Sequence, residues 1–194
     1  MGQRAALTFT DKLALGRRGE LIVERWLKQA RGCGVIPSYA FSGTDSDKAP
    51  RLRFSSEGYA VPDLDVCKAG DRYWVEVKTY WFAPLNRSLG APVHGITSRL
   101  YADYMLVEEH SGCAVWLAIL ELEKAGSNSV PLLLQRLSVL EPFPCMCGCP
   151  VSFCKAPVKN GVYFRRSEFV ELQVVDDDIG PLRADWRRTP EGQE

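Results

Sequence analysis

No sign of charge dominates this chain. Lysine and arginine total 24, and so do aspartate and glutamate, for a formal net charge of zero at neutral pH. Overall field therefore cannot recruit a polyanionic partner, and a nucleic-acid site has to arise from local clustering. Histidine is scarce. The two present, His94 and His110, lack metal-ligand spacing and read as structural or exposed. Long hydrophobic runs are missing as well: the longest, from Cys113 to Leu120, falls far short of the ~20 residues a membrane helix needs. The N-terminus has no apolar signal-like stretch, so the expectation is a cytoplasmic protein without a membrane partner. In a reducing compartment, its seven cysteines read as free thiols or metal ligands rather than disulfides. Internal repeats and low-complexity tracts are absent. What remains is 194 residues, 46% hydrophobic and 25% charged, enough to bury a sizeable core.

Thr10 to Arg31 has helical periodicity, with Thr10 placed to cap it and Gly32 and Gly34 beyond its end. Val23, Trp26, Leu27 and Ala30 share one side; Arg18, Arg25, Lys28 and Gln29 lie opposite. Glu20 breaks this division. It falls on the edge of the packing face, between Leu13 and Leu27, with Gly16 and Gly19 close by. A glutamate there either snorkels out of the core or faces a buried polar site.

Val35 to Phe41 reads as a strand, Ser42 to Gly58 as a loop, and Tyr59 to Trp81 as a hairpin. Phe82 to Pro92 is irregular. Thr97 to Glu109 predicts a second helix, with Leu100, Tyr101, Tyr104 and Val107 near one face, and Cys113 to Leu122 predicts an internal strand. Helix, strand, hairpin, helix, strand is the order of an α/β protein, a mixed sheet with helices on its faces. Gly126 to Ser129 looks like a linker. Beyond it come a short helix over Val130 to Leu140, a Cys- and Pro-rich segment from Pro142 to Pro157, and a strand near Val162 to Phe164. The expected organisation is a core over residues 10–125, a small Cys-rich appendage over 130–182, and a frayed polar tail over 183–194.

The hairpin holds the most informative residues. Val61-Pro62-Asp63-Leu64-Asp65 and Trp74-Val75-Glu76-Val77-Lys78 flank Lys68-Ala69-Gly70-Asp71, a turn candidate with Gly where a positive φ is needed. If Lys68 faces Asp71, the register sets Asp63 opposite Glu76. Alternation then puts Glu76, Lys78 and Asp63 on one face. Two carboxylates and an ammonium on an otherwise apolar sheet suit a divalent cation and an activated water, and they are costly as packing alone. The Val77 carbonyl lies at the same edge. Glu20, if it projects toward the hairpin, holds the ion through a water or completes a second site. Asp65 shares the face of Asp63 and faces Trp74, as a second ligand or as an exposed acid. A plainer alternative is that Glu76-Val77-Lys78 forms the solvated face of an edge strand and Asp63 a polar residue beside a turn.

Asp63 after Pro62, followed by Glu76-Val77-Lys78, resembles the PD-(D/E)XK nuclease superfamily, and Gly19-Glu20 on a preceding helix is similar to archaeal Holliday-junction resolvase type cores. The resemblance covers roughly residues 16–122. It implies a restriction-endonuclease-like αβββαβ core and Mg²⁺- or Mn²⁺-dependent hydrolysis of DNA. It also implies Asp63 and Glu76 as ligands, Lys78 as catalytic base or electrostatic stabiliser, and Glu20 as auxiliary acid. DNA is the implied partner, with a homodimer as one arrangement. The rival reading is a catalytically inactive nucleic-acid-binding or assembly protein on the same fold.

Lys48, Arg51, Arg53 and Arg87 lie on loops beside the hairpin, interleaved with Tyr80, Trp81 and Phe82. They either contact phosphates and stack on bases or are solvated charges and packed aromatics. Arg99 and Tyr101 on the second helix are further candidates to face substrate. Cys145, Cys147, Cys149 and Cys154 are close enough to wrap a structural Zn²⁺, but their spacing is Cys-x-Cys-x-Cys rather than paired Cys-x-x-Cys, so free thiols are the other reading.

Overall fold

The β4–β5 hairpin organises the molecule. β4 (Leu64–Lys68) and β5 (Asp71–Tyr80) are antiparallel, in register from Lys68 opposite Asp71 to Leu64 opposite Val75, as the turn sequence predicts. Ala69 and Gly70 both have positive φ, 51° and 93°, the conformation that two-residue hairpin turns require. In this computed structural model, residues 9–38, 51–54, 57–144 and 160–186 are described.

Around the hairpin stand the other core elements. α1 (Phe9–Arg31) begins one residue before Thr10, which lies inside its first turn instead of capping it. β1 (Gly34–Pro37) pairs with β4. α2 (Ser98–Ser111) is capped by the Thr97 hydroxyl, which accepts the Leu100 N–H, and closed by Gly112 at φ 67°. β8 (Ala114–Glu121) lies parallel to β5, from Tyr73 opposite Ala114 to Tyr80 opposite Glu121. The sequence of these elements is αβββαβ, and their strands stand in the order β1, β4, β5, β8. The fold is therefore mixed α/β with helices flanking a central mixed sheet.

The C-terminal part departs from expectation. Residues 130–140 form no helix; β9 (Ser129–Arg136) pairs antiparallel with β8, and a single 3-10 turn, Leu137–Val139, follows. Val130, Leu132 and Leu133 are all fully buried, so the segment is apolar on both faces, and such a run has no period that separates strand from helix. β12 (Val170–Val175) pairs with β9 and completes a six-stranded sheet. The segment expected as an appendage thus supplies two strands of the central sheet.

α3 (Ile179–Trp186) packs on α1, with Ile179 and Leu182 buried, so the chain is helical through Trp186 where a frayed tail from Arg183 is expected. The expected loop over 42–58 contains β2 (Arg51–Phe54) and the start of β3 (Glu57–Ala60), which pair together. The segment expected to be irregular contains β6 (Leu85–Asn86) and the start of β7 (Ala91–Thr97). A second sheet, in the order β10 (Phe143–Pro144), β11 (Gly161–Arg165), β7, β6, includes the strand expected near Val162. Lys48 and the four clustered cysteines lie outside the described residues, as does the zinc expectation that rests on them.

Two apolar cores sandwich the main sheet. Leu15, Ile22, Val23 and Leu27 of α1 pack with Val75 and Val77 on one face. Tyr104 and Val107 of α2 pack with Trp74, Leu117 and Ile119 on the other. Alternation along β5 therefore turns Glu76 and Lys78 toward α2. Among the described residues, no helix is long and apolar enough to cross a membrane.

Candidate active site

Glu76 is the centre of a buried polar cluster. It is 2% exposed, and both its oxygens are engaged: Oε1 pairs with the Lys78 ammonium, and Oε2 accepts the Tyr104 hydroxyl at 2.6 Å. Tyr104 comes from the packing face of α2, where an apolar body with a polar tip reaches the sheet. Burial opposes the charge on Lys78, but Glu76 and Asp63 outweigh it and hold the ammonium pKa above its ordinary value. Burial also raises the Tyr104 pKa, as do Glu76 and Asp63, which keeps its hydroxyl a donor.

Asp63 reaches the same place by a different route from the one its register suggests. The β4–β5 ladder ends at Leu64 opposite Val75, so Asp63 occupies a bend instead of a paired position opposite Glu76. Beyond the ladder's end, the Val77 N–H needs an acceptor, and the Asp63 Oδ2 provides it at 2.8 Å. Burial pushes the Asp63 carboxyl well above the usual range, and Glu76 pushes it further; Lys78 acts in the opposite direction.

Glu20 arrives from the other face of the sheet. A Cβ on Gly19 would overlap the Thr79 hydroxyl, so this glycine lets α1 approach β5 beside Lys78. Burial raises the Glu20 pKa; Arg17, at 3.5 Å, and Lys78 lower it, and Glu76 raises it. The four acidic and basic residues singled out from the sequence thus influence one another. Glu76 and Lys78 touch, Asp63 binds the peptide between them, and Glu20 is directed to Arg17.

Asp65 does not join this group. It is buried and faces Trp74 as its register requires, but its two oxygens accept from Arg72 at 2.9 and 2.6 Å. Tyr101 packs against Phe164, Arg51 donates to the Gly58 carbonyl, and Arg53, Arg87 and Arg99 are exposed. His110 is exposed and stacked on Tyr59, whereas His94 is buried and stacked on Tyr80. His94 Nε2 meets Glu121 Oε1 at 2.8 Å, and Arg166 grips the same carboxylate. Tyr80 in turn donates to the Gly95 carbonyl, which bounds the cluster on the far side of Lys78.

Sequence reasoning misses Tyr104 as the partner of Glu76. The only available signal is a hydroxyl-bearing ring in the apolar stripe formed with Leu100 and Val107. The donor set suits a hard divalent cation, since Asp63, Glu76 and the Val77 carbonyl offer oxygen alone, and the buried carboxylates repel one another. Among the described residues, no three Asp, Glu, His or Cys side chains form a ready cage. Magnesium ordinarily takes one or two carboxylates and keeps several waters, so two acids suffice.

No family model and no curated protein matches the chain. Among solved structures it is similar to Hjc, a Holliday junction resolvase from Archaeoglobus fulgidus, an archaeal hyperthermophile. That likeness has a TM-score of 0.45 at 14% identity and covers 87% of this chain and 99% of that one. A nuclease from a fusselovirus is similar with a TM-score of 0.35 at 12% identity, over 95% of this chain and 98% of that one. Likenesses this distant leave function to be argued from the residues.

Proposed function

We propose that this chain is a metal-dependent nuclease that hydrolyses DNA phosphodiester bonds at the Asp63, Glu76 and Lys78 cluster. One observation carries the reading: Glu76, 2% exposed, is clasped by an ammonium and a phenol, while a second carboxylate binds the adjacent peptide. Well-packed apolar residues often replace such buried charges at no loss of stability, so stability alone does not account for them. Asp63, Glu76 and the Val77 carbonyl are the residues that would hold Mg²⁺ or Mn²⁺. Such a cation, when bound, would lower the pKa of a nearby water and neutralise charge developing on the phosphate.

Tyr104 keeps the Glu76 carboxylate in one orientation. Lys78, held protonated by its acidic neighbours, fits electrostatic stabilisation of the pentavalent phosphate and orientation of the water better than proton abstraction. Glu20 serves as an auxiliary acid at the opposite side of β5. A homodimer would bring two such sites to two DNA strands.

A second reading, a catalytically inactive nucleic-acid-binding or assembly protein on this fold, draws on the engagement of both Glu76 oxygens by protein groups. Incubating supercoiled, linear and branched DNA with the protein in Mg²⁺, Mn²⁺ or chelator separates the two. Metal-dependent nicking that falls at least a hundredfold in Glu76→Gln and Lys78→Met, with cooperative melting retained, is the expected result. Undiminished cleavage by those variants rules out the site, and DNA binding without cleavage in either metal favours the second reading.

A further inference from the structure

Five residues earlier along β5, the sheet beneath α1 is left open. Tyr73, Trp116 and Leu134 are only partly buried on the apolar face that α1 covers. Between them and the C-terminal half of α1 lies a cavity of about 650 Å³, in the size range of small-molecule sites. Tyr73 and Trp116 meet edge to face with ring centroids 6.4 Å apart and form an aromatic floor. The Tyr73 hydroxyl lies 3.5 Å from the Cys33 thiol, which gives the apolar interior a polar handle.

The cavity's lining is unbalanced in charge. Arg31, Lys68, Arg72 and Arg136 contribute to it, against Asp71 as the one acid. Arg72 is committed to Asp65 and Arg136 to Glu108. Two cations remain. Arg31 lies 4.8 Å over the Trp26 ring, and Lys68 has no ion pair among the described residues. A ligand with an apolar body alone would leave this positive rim unused, and a small hydrated anion would leave the aromatic floor unused.

We infer that this cavity binds a small amphipathic anion, a flat aromatic or apolar body carrying one carboxylate, sulfonate or phosphate group. The body rests on Tyr73 and Trp116, and the anionic group meets Arg31 and Lys68. The lining includes neither Glu76 nor Lys78, so the inference is independent of DNA cleavage.

Fluorescence titration with 8-anilinonaphthalene-1-sulfonate and its uncharged parent, N-phenyl-1-naphthylamine, tests this on the full chain. The sulfonate should saturate one site at least tenfold more tightly than the parent. The double variant Arg31→Glu/Lys68→Glu alters exposed positions only and should erase that preference while cooperative melting is retained. Ala114 lies two residues before Trp116 on β8 and shares its face, so Ala114→Phe should fill the cavity and abolish both probes' binding. The inference fails if the wild type binds neither probe or both equally, if the charge reversals leave the preference intact, or if folded Ala114→Phe still binds the sulfonate. Should Ala114→Phe not fold, the charge reversals decide the matter alone.

Discussion

Replacing Tyr104 with Phe deletes one hydroxyl and leaves the ring in the α2 face of the core. That hydroxyl donates at 2.6 Å to a Glu76 oxygen, and Tyr104 and Glu76 are 3% and 2% exposed, so water cannot substitute for it. A hydrogen bond to a charged group contributes about 1.5–3 kcal/mol. For a domain of this length, about 2–4 °C of melting temperature accompanies each kcal/mol, so the variant should melt about 3–12 °C lower. The decisive measurement is a double-mutant cycle. In a Glu76→Gln background the acceptor is neutral, and the same hydroxyl contributes only about 0.5–1.5 kcal/mol. The coupling energy between the positions should then be about 1 kcal/mol or more. In cleavage assays, Tyr104→Phe should lower kcat while DNA affinity stays unchanged, because Tyr104 acts through Glu76 and not on substrate. Equal stability losses in both backgrounds would show that Tyr104 is a packing residue whose hydroxyl does nothing for the carboxylate.

Glu121 provides a pH signature: burial favours its neutral form, but His94 and Arg166 outweigh burial and hold its pKa at about 2 against an ordinary 4.5. A depressed carboxylate pKa stabilises the fold above pH 4.5, and that contribution, about 3 kcal/mol at most, fades as the pH falls toward 2. Urea melts across this range should flatten in Glu121→Gln; an unchanged slope would refute the assignment. Asp63→Asn should abolish metal-dependent cleavage, whereas Asp65→Asn should weaken the Arg72 pair and leave cleavage within about twofold, in a nicking assay that would refute the choice of acid if the outcomes were reversed. Gly19→Ala should cost about 1–3 kcal/mol in denaturant melts by overpacking against Thr79, despite its gain in helix propensity, and Thr79→Ala in the same chain should recover much of the loss. No recovery would place the cost elsewhere.

The hairpin is legible in the sequence because its turn chemistry and its side-chain period agree. Ala69 and Gly70 fix which residues face each other, and alternation then sends Glu76 and Lys78 to one side together. The order of the first six core elements is legible for similar reasons, since apolar stripes and a glycine just past the C-terminus mark both helices. Counting along a register does not say where a ladder stops, however, and so Asp63 is expected opposite Glu76 when it binds the Val77 peptide instead. β9 hides because a strand covered on both faces is apolar without a period. β12 hides for the opposite reason: most of its residues are exposed on the sheet's edge. Tyr104 is placed on the correct face of α2, but nothing local to it identifies the carboxylate 28 residues earlier as its partner.

The site's parts are fixed by different means. β5 is held twice, antiparallel to β4 on one side and parallel to β8 on the other. Sliding β5 by one residue would turn Val77 and Thr79 toward α2 and bury the Glu76–Lys78 pair in the apolar α1 face, away from the Tyr104 hydroxyl. The charged pair therefore specifies its own register as much as the turn does. Asp63 has no such protection. It lies past the last β4–β5 pair and is tied in by a hydrogen bond to one peptide and by attraction to Lys78, against repulsion from Glu76. The face presented by Glu76 and Lys78 is thus set by the sheet itself, while the second carboxylate is set by a bend at its edge. Adjustment to a ligand at this site therefore falls to Asp63 and the chain leading into β4, with β5 as the fixed reference.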